Sequence, residues 1–290
     1  TLDGTLFPYT TLFRSRLAKC PLLEAAELKN LLYTEVAKIA PSLIRYTEND
    51  GYIGQIDLEK VGFSGFLQQE LPWVQELDLQ QKVKILGKDN EADDHILTAL
   101  IYQQGELGWK ETRDTVNRLP RILKQQLWNQ VFFKLKPWHK LPRAFEVADF
   151  QFELNMSESC WAQFKRHRYC TLLRKGGYSN LGKIPESIVI IKRHKIWQEL
   201  QNKANQLQAA LPIHLRQLSP YFRLNASTMT VFAKLNLREI YHFIRLRSDI
   251  HAQWEIRELS DLMAAQIRKV APNAANLLCG KSDFPQGPAS

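Results

Sequence analysis

Cysteine is scarce and scattered in this chain. Cys20, Cys160, Cys170 and Cys279 are the only four, and no two lie at the short spacing of a zinc knuckle or a dithiol redox motif. Reduced, structural thiols and no metal site are therefore expected. Uninterrupted apolar sequence is also lacking. No run approaches the roughly 18 residues that a membrane helix requires, and no charged, apolar and small-residue succession marks a secretion signal. A cytoplasmic protein with no membrane partner is the expectation. Acidic charge falls short of basic charge, with 30 Asp and Glu against 39 Lys and Arg, for a formal net charge of +9. An excess of that sign favours anionic partners, which include a nucleotide, a phosphorylated cofactor and a nucleic acid.

Apolar residues are abundant. At 44% of 290 residues they suffice for one large core or two modest ones. Residues 1–15 stand apart: Thr-Leu-Phe occurs at 5–7 and again at 11–13, with neither helical nor strand periodicity. The segment reads as a non-native or disordered leader and resembles translated sequencing-adapter sequence, so a natural protein longer at its N-terminus is expected. Residues 16–80 read as the tail of an upstream repeat and a linker, 81–279 as the main domain, and 280–290 as a loose tail rich in glycine and proline. Helical apolar spacing over residues 22–46 (Leu28, Leu31, Leu32, Val36, Ile39) stops at Pro41. Residues 31–44 align without gaps with 262–275, sharing Leu31/Leu262, Lys38/Lys269, Ala40/Ala271 and Pro41/Pro272. An internal repeat would explain this, and so would two unrelated amphipathic helices that each end before a proline.

The expected fold class is α/β in the α+β sense, a mainly antiparallel sheet flanked by helices. Strands are predicted at 82–86, at 145–154 with a bulge at the Ala148-Asp149 phase slip, at 187–191 as a buried strand, and at 223–234. The first alternating run and the last should pair. Helices are predicted around 94–104 and 116–134, from Ser157 as N-cap, over 192–211, from the capping box Asn236-Leu-Arg-Glu239 to about Arg247, and over 252–271.

Chemistry concentrates on the helix after Asn236. Arg238, His242 and Arg245 stand at i, i+4 and i+7, so one face carries three cationic or hydrogen-bonding groups. A solvated basic face would look the same. Arg166-His167-Arg168 beside Trp161 and Phe164 adds a second basic cluster, and guanidinium forks are well matched to phosphate oxygens.

The run from Asn236-Leu-Arg238 through Leu246-Arg247-Ser-Asp249-Ile-His251-Ala-Gln-Trp-Glu-Ile256 closely resembles the C-terminal signature of the flavin-dependent thymidylate synthases. Gln163-Phe-Lys-Arg166-His167-Arg168 is similar to the start of their other signature. The resemblance covers about residues 81–275. It includes His139 with Pro142 three residues later, and Arg216 with Pro220 four later. It implies that Arg166, His167, Arg168, Asn236, Arg238 and His242 contact FAD, with His242 standing where the family commonly has asparagine. It implies that Gln163, Arg216 and Arg247 touch the nucleotide dUMP, that Arg247 lies near the pyrimidine ring, and that His139 lies near the flavin. Arg247 and His139 are thus the catalytic candidates, although an exposed loop histidine beside Trp138 would fit His139 equally. NADPH and methylenetetrahydrofolate are the implied co-substrates. Self-association is also implied, as a homotetramer or as a dimer of a doubled chain.

The sequence departs from that pattern after Arg168. The family has a serine, an asparagine with a following acidic residue, and a second serine close to an arginine. Here Thr171 stands for the first serine and Leu173 holds the asparagine position. Gly176 and Gly177 follow, and one residue is missing. Arg174 and Lys175 are the nearby cations. Three functions follow as expectations: reductive methylation of dUMP to dTMP, a non-catalytic flavin-binding repeat of a doubled synthase, and a basic nucleic-acid-binding module. No RNA- or DNA-binding motif accompanies the third.

Overall fold

The computed structural model describes residues 22–41, 63, 81–176 and 182–285. The expectations for the leader, for most of the linker, for Gly177 to Ser179 and for the last five residues lie outside the described residues. The chain divides into two compact units, Thr1–Leu77 with Gln206–Phe222, and Asp78–Asn205 with Arg223–Ser290.

In the first unit, helix α1 (Leu23–Ile39) ends where Ala40 leaves helical geometry at φ −145°, ψ 66°, just before Pro41. A residue preceding proline is disfavoured in the helical region. The 3-10 segment Ile213–Phe222 contains Pro220.

The second unit carries the sheet, β1 (Val83–Lys88), β2 (Asp149–Ser157), β3 (Thr171–Arg174) and β4 (Thr228–Asn236), in the order β1-β2-β4-β3. Every neighbouring pair is antiparallel. The α+β class and the pairing of the two long alternating runs are as the sequence predicts. Phe150, Phe152, Leu154 and Met156 of β2 and Met229, Val231, Ala233 and Leu235 of β4 are all buried. With period two they share one face, and burying each large side chain contributes roughly 1.5–3 kcal/mol. Among the described residues the helices that follow α1 are α2 (Ala92–Tyr102), α3 (Trp109–Arg118), α4 (Arg121–Phe132), α5 (Glu158–Phe164), α6 (Glu186–Ile190), α7 (His194–Ala209, its last turn in the stretch assigned to the first unit), α8 (Leu237–Arg247) and α9 (Trp254–Val270). Ile96, Trp128, Phe243, Ile244, Leu259 and Met263 join the sheet face in one core.

Five sequence expectations are corrected. Residues 187–191 form no buried strand: α6 occupies 187–190, Ile191 lies in the turn after it, and Val189, Ile190 and Ile191 are exposed. Pro185, at φ −61°, starts the helical turn, and a β-branched run reads as a strand only where a partner strand receives it. The helix beyond it starts at His194 because Lys192 takes a left-handed φ of 55°. The slip at Ala148-Asp149 is not a bulge but the boundary between a 3-10 turn, Arg143–Val147, and β2. The expected helix 116–134 is two helices, because Pro120 has no N–H to continue α3. The strand predicted from 223 begins instead at Thr228, after a turn in which Leu224 N donates to Ser227 Oγ at 2.8 Å.

Candidate functional site

The antiparallel register builds the site. The start of β3 meets the end of β4, with Thr171 opposite Lys234, and α8 begins at the next residue after β4. Two segments about 70 residues apart in sequence therefore converge at one edge of the sheet. Both are locally anchored. Asn236 Oδ1 accepts from Glu239 N at 2.9 Å, as the capping box predicts. Ser157 Oγ accepts from Cys160 N at 3.1 Å at the head of α5. Buried Glu255 of α9 accepts from Ser157 N at 2.8 Å and also from the Ser157 hydroxyl. The Gln-Trp-Glu stretch thereby fixes the origin of α5.

At the other end of α5 the chain turns through Lys165 to Arg168. Phe164 packs on Phe243 of α8 at 4.8 Å between ring centroids, and His167 meets the same ring edge-on at 5.0 Å. Arg247 of α8 then reaches back across the turn. Its Nη1 donates to Gln163 Oε1 at 3.1 Å, its Nη2 to the Gln163 carbonyl at 3.3 Å and its Nε to His167 Nε2 at 3.2 Å. On the other edge of the imidazole, His167 Nδ1 lies 3.4 Å from Glu239 Oε1. Desolvation, then repulsion from Arg166, lowers the pKa of Arg247, opposed by Cys160; a guanidinium nevertheless stays charged. His242 packs against His167 at 5.8 Å. Its pKa is lowered by desolvation above all, with His167, Lys140 and Arg247 acting in the same direction and Glu239 opposing.

Beside this cluster lies an open cleft of about 350 Å³ lined by Asp149, Arg168, Tyr169, Cys170, Thr171, Lys234 and Asn236. The cap at Asn236 uses its Oδ1 and leaves Nδ2 as a donor. Arg168 and Lys234 bring cationic charge, Lys234 Nζ being paired at 2.8 Å with Asp149, whose carboxylate also lines the cleft, and Thr171 brings a hydroxyl. This donor set suits phosphate oxygens, so the residues present fit the pyrophosphate portion of a dinucleotide flavin. Burial, then Glu239, pushes the Cys170 thiol up to about 12, and burial pushes Cys160 up as well. Neither thiol is poised as a nucleophile at neutral pH. Among the described residues no cluster of metal-ligating side chains occurs, and no helix is long and apolar enough to cross a membrane.

Not all predicted residues gather there. Arg238 Nε donates to the Leu141 carbonyl at 2.8 Å and its Nη1 to Glu146 at 2.7 Å. Arg245 Nη1 donates to the carbonyls of Pro137 at 2.9 Å and His139 at 3.0 Å. The basic face of α8 thus divides: Arg238 and Arg245 hold the 136–146 segment, whereas His242 and Arg247 face His167. His139 is exposed, accepts from Lys136 N at 3.2 Å through Nδ1 and packs edge-on against Trp138. Arg166 is exposed. Arg216 is exposed in the first unit, within Ile213–Phe222. Arg174 of the divergent loop is bound to Glu158, which also accepts from Arg223 Nη1 at 2.7 Å. Sequence reasoning passed over Glu158, Glu239 and Glu255 as partners. Glu239 had one signal, its place in the capping box; the other two are defined only by what the fold brings to them.

The family described as "Thymidylate synthase complementing protein" (Thy1) matches residues 89–273. The chain belongs to this family, which is that of the flavin-dependent thymidylate synthases. A UPF0159 protein of Chlamydia muridarum (strain MoPn / Nigg) is 23% identical over 267 residues, 89% of this chain and 50% of the relative. A UPF0159 protein of Thermoplasma acidophilum is 22% identical over 280 residues, 91% of this chain and 53% of the relative. The chain therefore spans about half the length of these curated relatives. A flavin-dependent thymidylate synthase of Clostridium tetani is 35% identical over 69 residues, covering 23% of this chain and 28% of that protein. The crystal structure of the UMP/dUMP methylase PolB from Streptomyces cacaoi, bound with 5-Br dUMP, aligns with a TM-score of 0.52 at 13% identity, covering 67% of this chain and 92% of that one. That likeness bears on the fold.

Proposed function

We propose that this chain contributes to flavin-dependent reductive methylation of dUMP to dTMP, with methylenetetrahydrofolate as carbon donor and NADPH as reductant. The observation that carries the reading is the engagement of Gln163 by Arg247 across 84 residues of sequence, beside a cleft whose donors suit phosphate. Bound FAD supplies the hydride chemistry. The chain's own residues bind and orient. Arg168, Thr171 and Asn236 receive the flavin phosphates, and Lys234 joins them by exchanging its ion pair with Asp149. Gln163 and Arg247 exchange their mutual hydrogen bonds for those of the pyrimidine. Arg247 then offsets negative charge that develops on the pyrimidine ring. Self-association, as a homotetramer or as a dimer of a doubled chain, and a cytoplasmic location belong to the same proposal. The test is the absorption spectrum of the purified chain with FAD, followed by dTMP formation from dUMP. Absence of flavin binding would overturn the reading.

One observation favours a second reading, a flavin-binding repeat of a doubled synthase. Helices α1 and α9 have both ends displaced by 231 positions (23 to 254 and 39 to 270). Their C-caps, Ala40 and Ala271, share an uncommon conformation, φ −145°, ψ 66° and φ −127°, ψ 68°, each before a proline. Over this longer span Glu24/Glu255, Glu27/Glu258 and Leu28/Leu259 also match. Yet Leu28 and Leu31 are exposed in α1, whereas Leu259 of α9 is fully buried. In this reading the divergent loop is tolerated because another repeat supplies the intact one. Flavin binding without thymidylate formation by this chain, and rescue of a thymidine-requiring strain only by a longer natural protein, is the outcome it requires.

A further inference from the structure

His167 is buried, with 5% side-chain exposure, and both of its ring nitrogens are engaged inside the chain. Nε2 receives the Arg247 Nε–H at 3.2 Å. A guanidinium has donors only, so Nε2 must carry a lone pair, and the imidazole is neutral with its proton on Nδ1. That proton points at Glu239 Oε1, 3.4 Å away, on a carboxylate 11% exposed. A protonated imidazole would present a second N–H to Arg247 and repel it. The other tautomer would leave Glu239 and Nδ1 as two facing acceptors. Phe243 meets the His167 ring edge-on at 5.0 Å between centroids, with His242 at 5.8 Å and Phe164 at 6.4 Å. The helix makes this possible, because Glu239 and Arg247 lie two turns apart at i and i+8 and bracket one ring between them.

We infer that Glu239 is a positioning residue: it fixes His167 as the Nδ1–H tautomer, and that imidazole in turn holds the Arg247 guanidinium by its Nε, in the orientation from which its Nη groups can pass from Gln163 to the nucleotide. The second half rests on the nucleotide-binding reading of Arg247. The first half does not. His167 then serves the site through Arg247, since neither ring nitrogen is left to offer a ligand.

The ring 15N shifts of His167, assigned by comparison with His167→Gln, test the tautomer directly in the whole chain near neutral pH. Wild type is expected to show a protonated Nδ1 and an unprotonated Nε2. Glu239→Gln keeps an acceptor and should keep that pattern. Glu239→Leu removes it and should shift the proton to Nε2, releasing Arg247. An Nε2–H or doubly protonated His167 in wild type, or an unchanged pattern in Glu239→Leu, would overturn the inference. The wild-type measurement decides the tautomer even should the leucine variant fold poorly. Calorimetric titration with dUMP addresses the second half: affinity should fall about tenfold in Glu239→Leu and stay within about twofold in Glu239→Gln. A wild type that binds no dUMP sinks the nucleotide reading, while the 15N shifts still decide the relay. Equal affinity in wild type and Glu239→Leu would refute the positioning of Arg247.

Discussion

Glu158 is the clearest case of a residue whose role follows from its partners. One carboxylate, 17% exposed, receives Arg174 and Arg223 together. Removing its charge leaves two guanidiniums facing each other in a partly desolvated place, so Glu158→Gln should lower the unfolding free energy by about 1–3 kcal/mol, read from urea denaturation. Because Arg174 is held by this carboxylate, Arg174→Ala should change stability more than nucleotide affinity; a selective loss of dUMP binding would assign Arg174 to the substrate instead. His242 carries a pH prediction. Its folded pKa is lowered, so the unfolded chain binds more protons in the window between the folded value and the ordinary imidazole value near 6.5. Stability therefore falls as pH drops through that window. His242→Asn, the residue commonly found in the family, should narrow the difference in Tm between pH 7.5 and pH 5.5. An unchanged difference would count against the assignment.

At the scale of elements, α5 and α8 are held by different kinds of anchor. The Asn236 cap is local, and replacing such a cap with alanine costs about 1 kcal/mol. The Ser157 anchor is doubled by a carboxylate that arrives from α9, 98 residues away, in surroundings where both partners are buried. Glu255→Ala strands the Ser157 N–H and hydroxyl without their acceptor, and a loss of about 3 kcal/mol is expected from denaturant titration. Glu255→Gln retains an acceptor and should lose distinctly less. A loss below about 1 kcal/mol in the alanine variant would show that water replaces the carboxylate there.

For the molecule as a whole, the core cluster of the described residues runs from Val83 to Leu278, and no described residue of 1–77 belongs to it. A chain lacking those residues should keep a cooperative thermal transition and its near-ultraviolet circular dichroism, because the buried aromatics Trp128, Phe145, Phe152 and Phe243 all stay in place. Loss of the transition would mean that the first unit contributes to the stability of the second.

Sequence by itself determined the parts governed by short-range rules. Alternation at Phe150, Phe152 and Leu154 and at Thr228, Thr230 and Phe232 declares strands because the pleat has period two. Ser157 and Asn236 declare helix starts because a cap bond closes within three residues. The Asn236 to Ile256 run and the Arg-His-Arg segment declare the family through residue identities alone. Tertiary structure decided the rest. The β-branched residues 188–191 fold as helix and turn because no strand lies beside them to pair. Arg238, His242 and Arg245 look alike along one helical stripe, yet Glu146 and the Leu141 carbonyl claim Arg238, the Pro137 and His139 carbonyls claim Arg245, and His242 turns to His167. A cation's role is set by which acceptor reaches it, and those acceptors come from up to 108 positions away. Side-chain spacing along one helix carries no record of that distance, whereas the antiparallel register of β3 on β4 does.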